Sequence, residues 1–406
     1  MGVILLGNVL NTRVTAAIMC LFFVMSFSFI AFADDFNEDE PYKEIFQTEV
    51  SDVVVSKPPK IEAGAAIVID MKSARVLYEK NAYSRRAIAS TTKIMTAIVA
   101  IENGELGDKV KVSKRAASIR GSTIKLKAGE ELTLEELLYG LMLKSGNDAA
   151  IAIAERIGGS VEQFALMMNE KAKELGLENT QFKTPHGLDT PGHYSTACEL
   201  ALIARYALNN PIFSKIVGTQ NKSITGRGLY TTNEMLGAYP GADGVKTGYT
   251  GQAGRCLVTS ATRNDMRFIS VVLNCSSRSV RAQSSKAILD YAFNNYKLCR
   301  LIEQDEDMGT LPVIKGKSDT VPVIPVEGIE MPLTEEEKNN MQVEIYLYNN
   351  QLTAPVHPNI EVGYIQFMAN GNKLAQVSLK TKSGVMKKLF WDYYRDIVEI
   401  WYKLIK

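Results

Sequence analysis

Hydrophobic and polar positions divide the chain into stretches of different period. After one charged residue, Arg13, a largely apolar run extends from Val14 to Ala33 and ends in Ala31-Phe32-Ala33. Those small residues form a signal-peptidase pattern, which places a signal peptide over residues 1–33 with cleavage after Ala33. Twenty such residues also suffice for an uncleaved anchor, and either form exports the rest of the chain. Residues 34–60 carry eight acids and three bases and read as an acidic leader outside any core. Order begins near Ala65. Ala66–Asp70 and Val76–Lys80 predict two strands joined by a short polar turn. From Ser90 to Asn103 apolar residues occupy nearly every side, with Ser at the start and Gly104 after the end, which predicts a helix buried all round.

Residues 133–157 and 161–175 repeat the helical period. Beyond Gly244 the period shortens: Val245–Tyr249, Leu257–Thr262 and Phe268–Asn274 are strand-like, with Arg263–Asp265 as a turn, and residues 280–296 return to helix. Strands, helices, strands and a helix, in that order, predict an α/β (α+β) domain over residues 61–300. It would be an antiparallel sheet covered by helices, with a helical subdomain. Charge, Pro and Gly around residues 300–325 read as a linker. Short runs such as Val343–Tyr348 and Gly363–Phe367, separated by Pro and Gly, predict a small C-terminal all-β domain over residues 308–382, a β-sandwich. No unit of roughly 20–50 residues recurs, which excludes solenoids and propellers.

Residues 386–406 form a different pattern. Lys388, Asp392, Arg395, Asp396, Glu399, Lys403 and Lys406 fall on one helical face, and the remainder is almost wholly apolar. Both tryptophans of the chain, Trp391 and Trp401, lie here, and such rings favour the water–lipid boundary. Three acids make the segment too polar to span a bilayer, so it reads as an amphipathic helix lying on a membrane surface. The alternative is a terminal helix docked on the β domain or on a second subunit.

Composition narrows the classes. Hydrophobic residues are 46% and charged residues 22% of 406, as in folded soluble chains; a disordered, collagen-like or multi-span protein is excluded. Lys plus Arg is 46 against 45 acids, so the basic excess of a nucleic-acid binder is missing. Five cysteines without Cys-x-x-Cys, and three histidines, argue against a zinc site or a disulfide scaffold. Cys256 and Cys275 flank the Arg263–Asp265 turn. They can be buried small hydrophobes or, in an exported protein, a disulfide.

Three short patterns carry the chemistry: Ser90-x-x-Lys93, Ser145-Gly146-Asn147 and Lys246-Thr247-Gly248. Each alone is weak; the ordered trio is the set found in penicillin-binding proteins and class A β-lactamases. Ser90 and Lys93, three apart at a helix start, share one face. A serine hydroxyl needs a base, and a lysine buried beside a second cation such as Lys246 can serve as one. The helix N-terminus offers N–H groups to a developing oxyanion. Ser145 and Asn147 sit between two helical stretches, where a hydroxyl and an amide can relay a proton and hold the base; taken alone they read as an ordinary N-cap. Lys246 and Thr247, on an edge strand, suit a substrate carboxylate, and Gly248 allows close backbone approach.

The chain therefore resembles the low-molecular-mass penicillin-binding proteins that are serine-type D-alanyl-D-alanine carboxypeptidases, of β-lactamase/transpeptidase-like fold. Beyond the trio, the resemblance rests on Val76–Lys80 before Arg86-x-x-Ala89-Ser90-Thr-Thr-Lys93 and on Thr184-Pro-His-Gly-Leu-Asp189 leading to Ser195-Thr-Ala197. It extends through Gly241–Thr250 and covers about residues 60 to 380. It implies that Ser90 forms an acyl-enzyme, with Lys93 as proton acceptor. Ser145 would protonate the leaving D-alanine, and Asn147 would position Lys93 and the substrate amide. Lys246 and Thr247 would bind the terminal carboxylate, with Gly248 beside them and the N–H groups of Ser90 and Tyr249 as oxyanion hole. It further implies no metal, no cofactor and no catalytic histidine. The implied partners are peptidoglycan stem peptides ending in D-Ala-D-Ala, β-lactam antibiotics and the outer face of the cytoplasmic membrane, and no nucleic acid. Ile88, where many relatives have Pro, and Cys198, before Glu199, depart from the pattern without touching a catalytic role. A class A β-lactamase would need a Glu four residues before an Asn; Ala165 and Leu175 stand four before Asn169 and Asn179. A serine β-lactamase or a non-turning-over penicillin sensor is the alternative reading, and a sensor would need signalling spans of the kind that do not follow residue 33. A Ser-His-Asp hydrolase is disfavoured, since no Gly-x-Ser-x-Gly elbow occurs.

Overall fold

Strand β1 (Ala65–Asp70) is buried at all six positions, because both faces of its sheet are covered. It pairs antiparallel with β2 (Val76–Lys80) on one side and with the late strand β5 (Met266–Cys275) on the other, Ala65 facing Leu273 and Asp70 facing Phe268. Strands β3 (Ala242–Thr250) and β4 (Gly254–Arg263) complete a five-stranded sheet in the order β2-β1-β5-β4-β3, which leaves β3 on an edge. Period-two alternation distributes the core. Ala65, Ile67 and Ile69 face the helical subdomain inserted between β2 and β3, while Ala66 and Val68 face the late helix. The computed structural model describes residues 57–405; the expected signal peptide and the leader up to residue 56 lie outside the described residues.

Helix α1 (Lys93–Asn103) runs through the subdomain with every residue from Lys93 to Ala100 buried. It is surrounded by α2 (Leu134–Leu143), α3 (Asn147–Gly158), α4 (Val161–Glu174), α5 (Ala197–Leu208) and α6 (Pro211–Val217). Local signals set these ends: a Thr133/Glu136 capping box opens α2, Ser160 and Thr196 cap α4 and α5, and left-handed Gly159 closes α3. The helix expected from Ser90 differs in its first turn. Ala89–Thr92 is a 3₁₀ turn, entered through Ala89 at φ 47°, and the α-helix starts only at Lys93.

The far sheet face is covered by α7 (Arg278–Asn295), whose Ala282, Ile288 and Leu289 meet Val68, Leu257 and Phe268. On α7, Arg281 donates through Nε and Nη2 to the Glu234 carboxylate at 2.7 and 2.8 Å, with both side chains fully buried. This bidentate pair ties the chain entering β3 to the helix behind the sheet. No disulfide joins Cys198, Cys256, Cys275 and Cys299, the cysteines among the described residues; burial pushes Cys275 up to about 12, as for an inert core side chain.

Residues 300–325 are not a linker. Lys297–Ile302, Thr310–Ile314 and Thr320–Pro325 are strands, since Leu311, Val313, Val321 and Val323 alternate into a core, while the charges of Glu303–Asp307 fill only the turn. The C-terminal part is all-β, as expected: a six-stranded sheet centred on Glu361–Ala369 and Asn372–Thr381, and a separate ribbon of Lys297–Ile302 with Ile329–Leu333. Arg75, in the turn after β1, joins it to the first domain through the Pro332 carbonyl and the Glu337 carboxylate. Helix α8 (Phe390–Ile405) ends the described chain.

Removing one partner of a buried pair strands the other charge, so Glu234→Gln or Arg281→Met should each destabilise by about 3–5 kcal/mol, whereas the double variant should lose less than either single change. Urea unfolding followed by far-ultraviolet circular dichroism measures this. Tryptophan fluorescence would not, because both tryptophans lie in α8.

Candidate active site

In a 3₁₀ turn, side chains three apart eclipse, and this stacks Lys93 directly on Ser90. The Lys93 Nζ lies 2.7 Å from Ser90 Oγ, 2.8 Å from Asn147 Oδ1 and 2.9 Å from the His186 carbonyl oxygen. Lys93 is fully buried and Ser90 nearly so. An ammonium donates to the serine oxygen across that contact; a neutral amine accepts the serine proton across the same 2.7 Å. The pair is thus placed for proton transfer without rearrangement.

Asn147 presents its amide oxygen to Lys93 because its other groups are committed. Its Nδ2 donates to the Arg120 carbonyl at 2.8 Å, and its backbone N–H donates to the Ser122 carbonyl at 2.7 Å. Asp148 fixes the same helix start by accepting N–H groups of Ile124, Leu126 and Ala149. Ser145 sits in the left-handed region at φ 58°, in the break between α2 and α3, as a loop between two helices requires. Its hydroxyl is buried and makes no hydrogen bond to any described residue.

The third motif lies on edge strand β3, with Lys246 and Thr247 almost fully buried. Lys246 Nζ donates to the Thr247 carbonyl at 2.8 Å. A Cβ on Gly248 would stand 2.9 Å from the Ser90 nitrogen and 3.1 Å from both the Ala89 Cβ and the Thr91 nitrogen. Only glycine lets this strand touch the Ser90 turn. Tyr249 follows, its ring 4.2 Å beneath the Arg255 guanidinium.

The structure adds residues that sequence reasoning missed. The 184–196 segment wedges under the Ser90 turn: a Cβ on Gly187, at φ 83°, would stand 2.0 Å from the Ala89 oxygen. His193 Nδ1 accepts the Lys183 N–H at 3.0 Å, so its Nε2 carries the proton and donates to Thr92 Oγ1 at 2.8 Å. Thr92 in turn donates to the Ala89 carbonyl at 2.8 Å and secures the left-handed residue before the serine. His186 supplies its backbone carbonyl to Lys93 and accepts the Leu188 N–H at Nδ1. Burial, aided by the Lys93 charge, pushes His186 down to about 3, and burial pushes His193 down to about 4. The available signal was the Thr184–Asp189 segment itself; it marks the loop but does not show that a main-chain oxygen is the working group. Asp189 closes the wall by accepting Thr250 Oγ1–H at 2.6 Å and the Gln252 N–H at 3.1 Å.

A serine bonded to a buried lysine, a Ser-x-Asn loop and a Lys-Thr-Gly edge strand on a helix-covered antiparallel sheet define a serine acyl-transfer enzyme of the penicillin-binding class. A family model described as D-alanyl-D-alanine carboxypeptidase matches residues 52–277, and one described as penicillin-binding protein 5, C-terminal domain, matches residues 296–387. The chain belongs to the D-alanyl-D-alanine carboxypeptidase family. It is 38% identical over 354 residues to D-alanyl-D-alanine carboxypeptidase DacF of Bacillus subtilis (strain 168), covering 84% of this chain and 90% of the relative. DacC of Escherichia coli (strain K12) is 34% identical over 362 residues, covering 85% and 90%. Among solved structures, penicillin binding protein 5 from Haemophilus influenzae superposes with a TM-score of 0.74 at 28% identity, covering 82% of this chain and 99% of that one.

The two buried histidines generate a pH dependence. Unfolded, each takes up a proton below about pH 6.5; folded, neither does so until about pH 3 to 4. Their contribution to stability is complete above about pH 6.5 and is lost as pH falls, by about 1.4 kcal/mol per unit for each histidine. His193→Gln should therefore lower the slope of unfolding free energy between pH 6 and 4.5 by about that amount per unit. An unchanged slope would show that His193 is accessible to protons in the folded state.

Proposed function

We propose that the chain removes the terminal D-alanine from peptidoglycan stem peptides through an acyl-enzyme on Ser90. The contact that carries this reading is the 2.7 Å approach of buried Lys93 Nζ to Ser90 Oγ. Lys93 takes the hydroxyl proton as Ser90 attacks the carbonyl of the penultimate D-alanine. The oxyanion is received by the N–H groups of Ser90 and Tyr249, which the Gly248 contact brings together. Asn147 keeps Lys93 aimed, and the otherwise unbonded Ser145 hydroxyl passes the proton to the leaving amine. Water then releases the shortened peptide. Lys246 and Thr247 bind the terminal carboxylate and Gly248 and Tyr249 line the strand beside it. Penicillin enters the same steps, but its leaving amine stays tethered in the opened ring, so the acyl-enzyme persists.

The catalytic domain is read as ending with α7 at Asn295 and the β domain as beginning with the strand Lys297–Ile302, earlier than the limits of 300 and 308 that composition suggested. The terminal helix, residues 386–406, is read as an anchor on the outer face of the cytoplasmic membrane. Trp391 is 74% and Trp401 68% exposed, and Phe390, Ile397, Ile400 and Leu404 are exposed as well, so no other described residue covers the apolar face. Asp392 and Asp396 are paired with Lys317 and Lys388, which reduces the cost of bringing these acids to an anionic surface. No described helix is long and apolar enough to cross a membrane.

Ser90→Ala should abolish covalent labelling by penicillin with little change in thermal unfolding; persistent labelling rejects Ser90. Lys93→Ala should lower acylation of every substrate by about 10²–10⁴-fold. Lys246→Ala should instead harm free-acid peptides far more than C-terminally amidated ones, and equal loss on both contradicts the carboxylate role. For the helix, the mature enzyme should float with anionic vesicles and a form lacking residues 386–406 should not, while soluble activity survives truncation. Equal behaviour of the two forms excludes the anchor.

A further inference from the structure

Thr232 belongs to none of the three motifs, yet its hydroxyl lies 2.9 Å from that of Thr247, both buried. Its position is set by the other wall of the site. The Thr232 N–H donates at 3.0 Å to the carbonyl of Leu143, the last residue of α2 and two before Ser145. On either side, Thr231 N–H donates to the Gln220 carbonyl and Thr231 Oγ1 accepts the Asn233 N–H, so the segment has no freedom to slide. Thr232 therefore spans the gap between the helix end that carries Ser145 and the strand that carries Lys246 and Thr247.

Hydrogen counting gives this contact a direction. A hydroxyl donates one hydrogen, and a carboxylate only accepts. Before ligand binds, either threonine can be the donor. Once Thr247 donates to a carboxylate its hydrogen is committed, and the contact survives only if Thr232 donates to Thr247. A chain from Thr232 to Thr247 to the carboxylate then forms, in which each bond strengthens the next. With an amidated terminus no such polarity is imposed, because a carboxamide both donates and accepts.

We propose that Thr232 is a specificity-determining positioning residue: its hydroxyl orients the Thr247 hydroxyl as a donor and so favours substrates ending in a free carboxylate. This rests on the reading of Lys246 and Thr247 as the carboxylate anchor.

The test measures kcat and KM of the mature enzyme on an acyl-D-Ala-D-Ala peptide and on its C-terminal amide. Thr232→Val, which keeps shape and removes the hydroxyl, should cut kcat/KM on the free acid about tenfold through KM and leave the amide within about twofold, as expected for a hydrogen bond that supports a charged group. Thr232→Ser should restore the preference, and Thr232→Ala replaces the valine variant if that one fails to fold. The losses of Thr232→Val and Thr247→Val should be less than additive when combined. Equal loss on acid and amide, no loss on either, or full additivity overturns the proposal. If Thr247→Val narrows the acid preference but Thr232→Val does not, this inference alone falls. If Thr247→Val leaves the preference intact, the anchor reading falls and takes this inference with it.

Discussion

Lys93 is the constraint on which the site depends. A lysine with no solvent access survives folding only if its amine is surrounded by acceptors: Ser90 Oγ comes from the same turn, and Asn147 Oδ1 and the His186 carbonyl come from distant parts of the chain. Each acceptor is itself held. Asn147 is clamped by Arg120 and Ser122, the His186 loop by Asp189 and Gly187, and Ser90 by the turn that Thr92 and His193 secure. The helical subdomain thus serves as a coordination shell for one amine, and the same shell fixes Ser90.

A second constraint is steric. Three backbones converge on the residues around Ser90: the 3₁₀ turn itself, the loop at Gly187 and the strand at Gly248. The approaches at Gly187 and Gly248 are closer than a Cβ permits, so glycines stand there, while Ala89 turns the chain with a left-handed φ. The sheet makes this convergence possible. Because β3 is an edge strand, one side of its backbone is left for the Ser90 turn, while β4 and the Glu234–Arg281 pair hold it from behind. The β domain takes no part in this geometry; it carries α8 with its exposed aromatic face.

Much of this was legible in the chain because it is local. A serine and a lysine three apart must share a face of any helical turn, whether α or 3₁₀, so the Ser90–Lys93 pairing survived the correction to the helix start. The strands of the sheet, the loop at Ser145 and the polar face of the terminal helix follow from period and turn chemistry in the same way. The reading failed where composition was averaged over a window. Charges confined to one turn at Glu303–Asp307 disguised the flanking strands, whose alternating Leu311, Val313, Val321 and Val323 carried the true signal.

By itself, then, the sequence determined the family, the three motifs and the order of secondary elements, since each is written in spacings of a few residues. Only the tertiary structure decided what completes the site. The His186 contribution is a main-chain oxygen, which every residue has and no pattern can mark. The Thr232–Thr247 contact joins two common hydroxyls 15 positions apart, and His193 reaches Thr92 across 101 positions. Such pairs exist because separate elements are pressed against one turn, and that proximity is a property of packing, not of spacing along the chain.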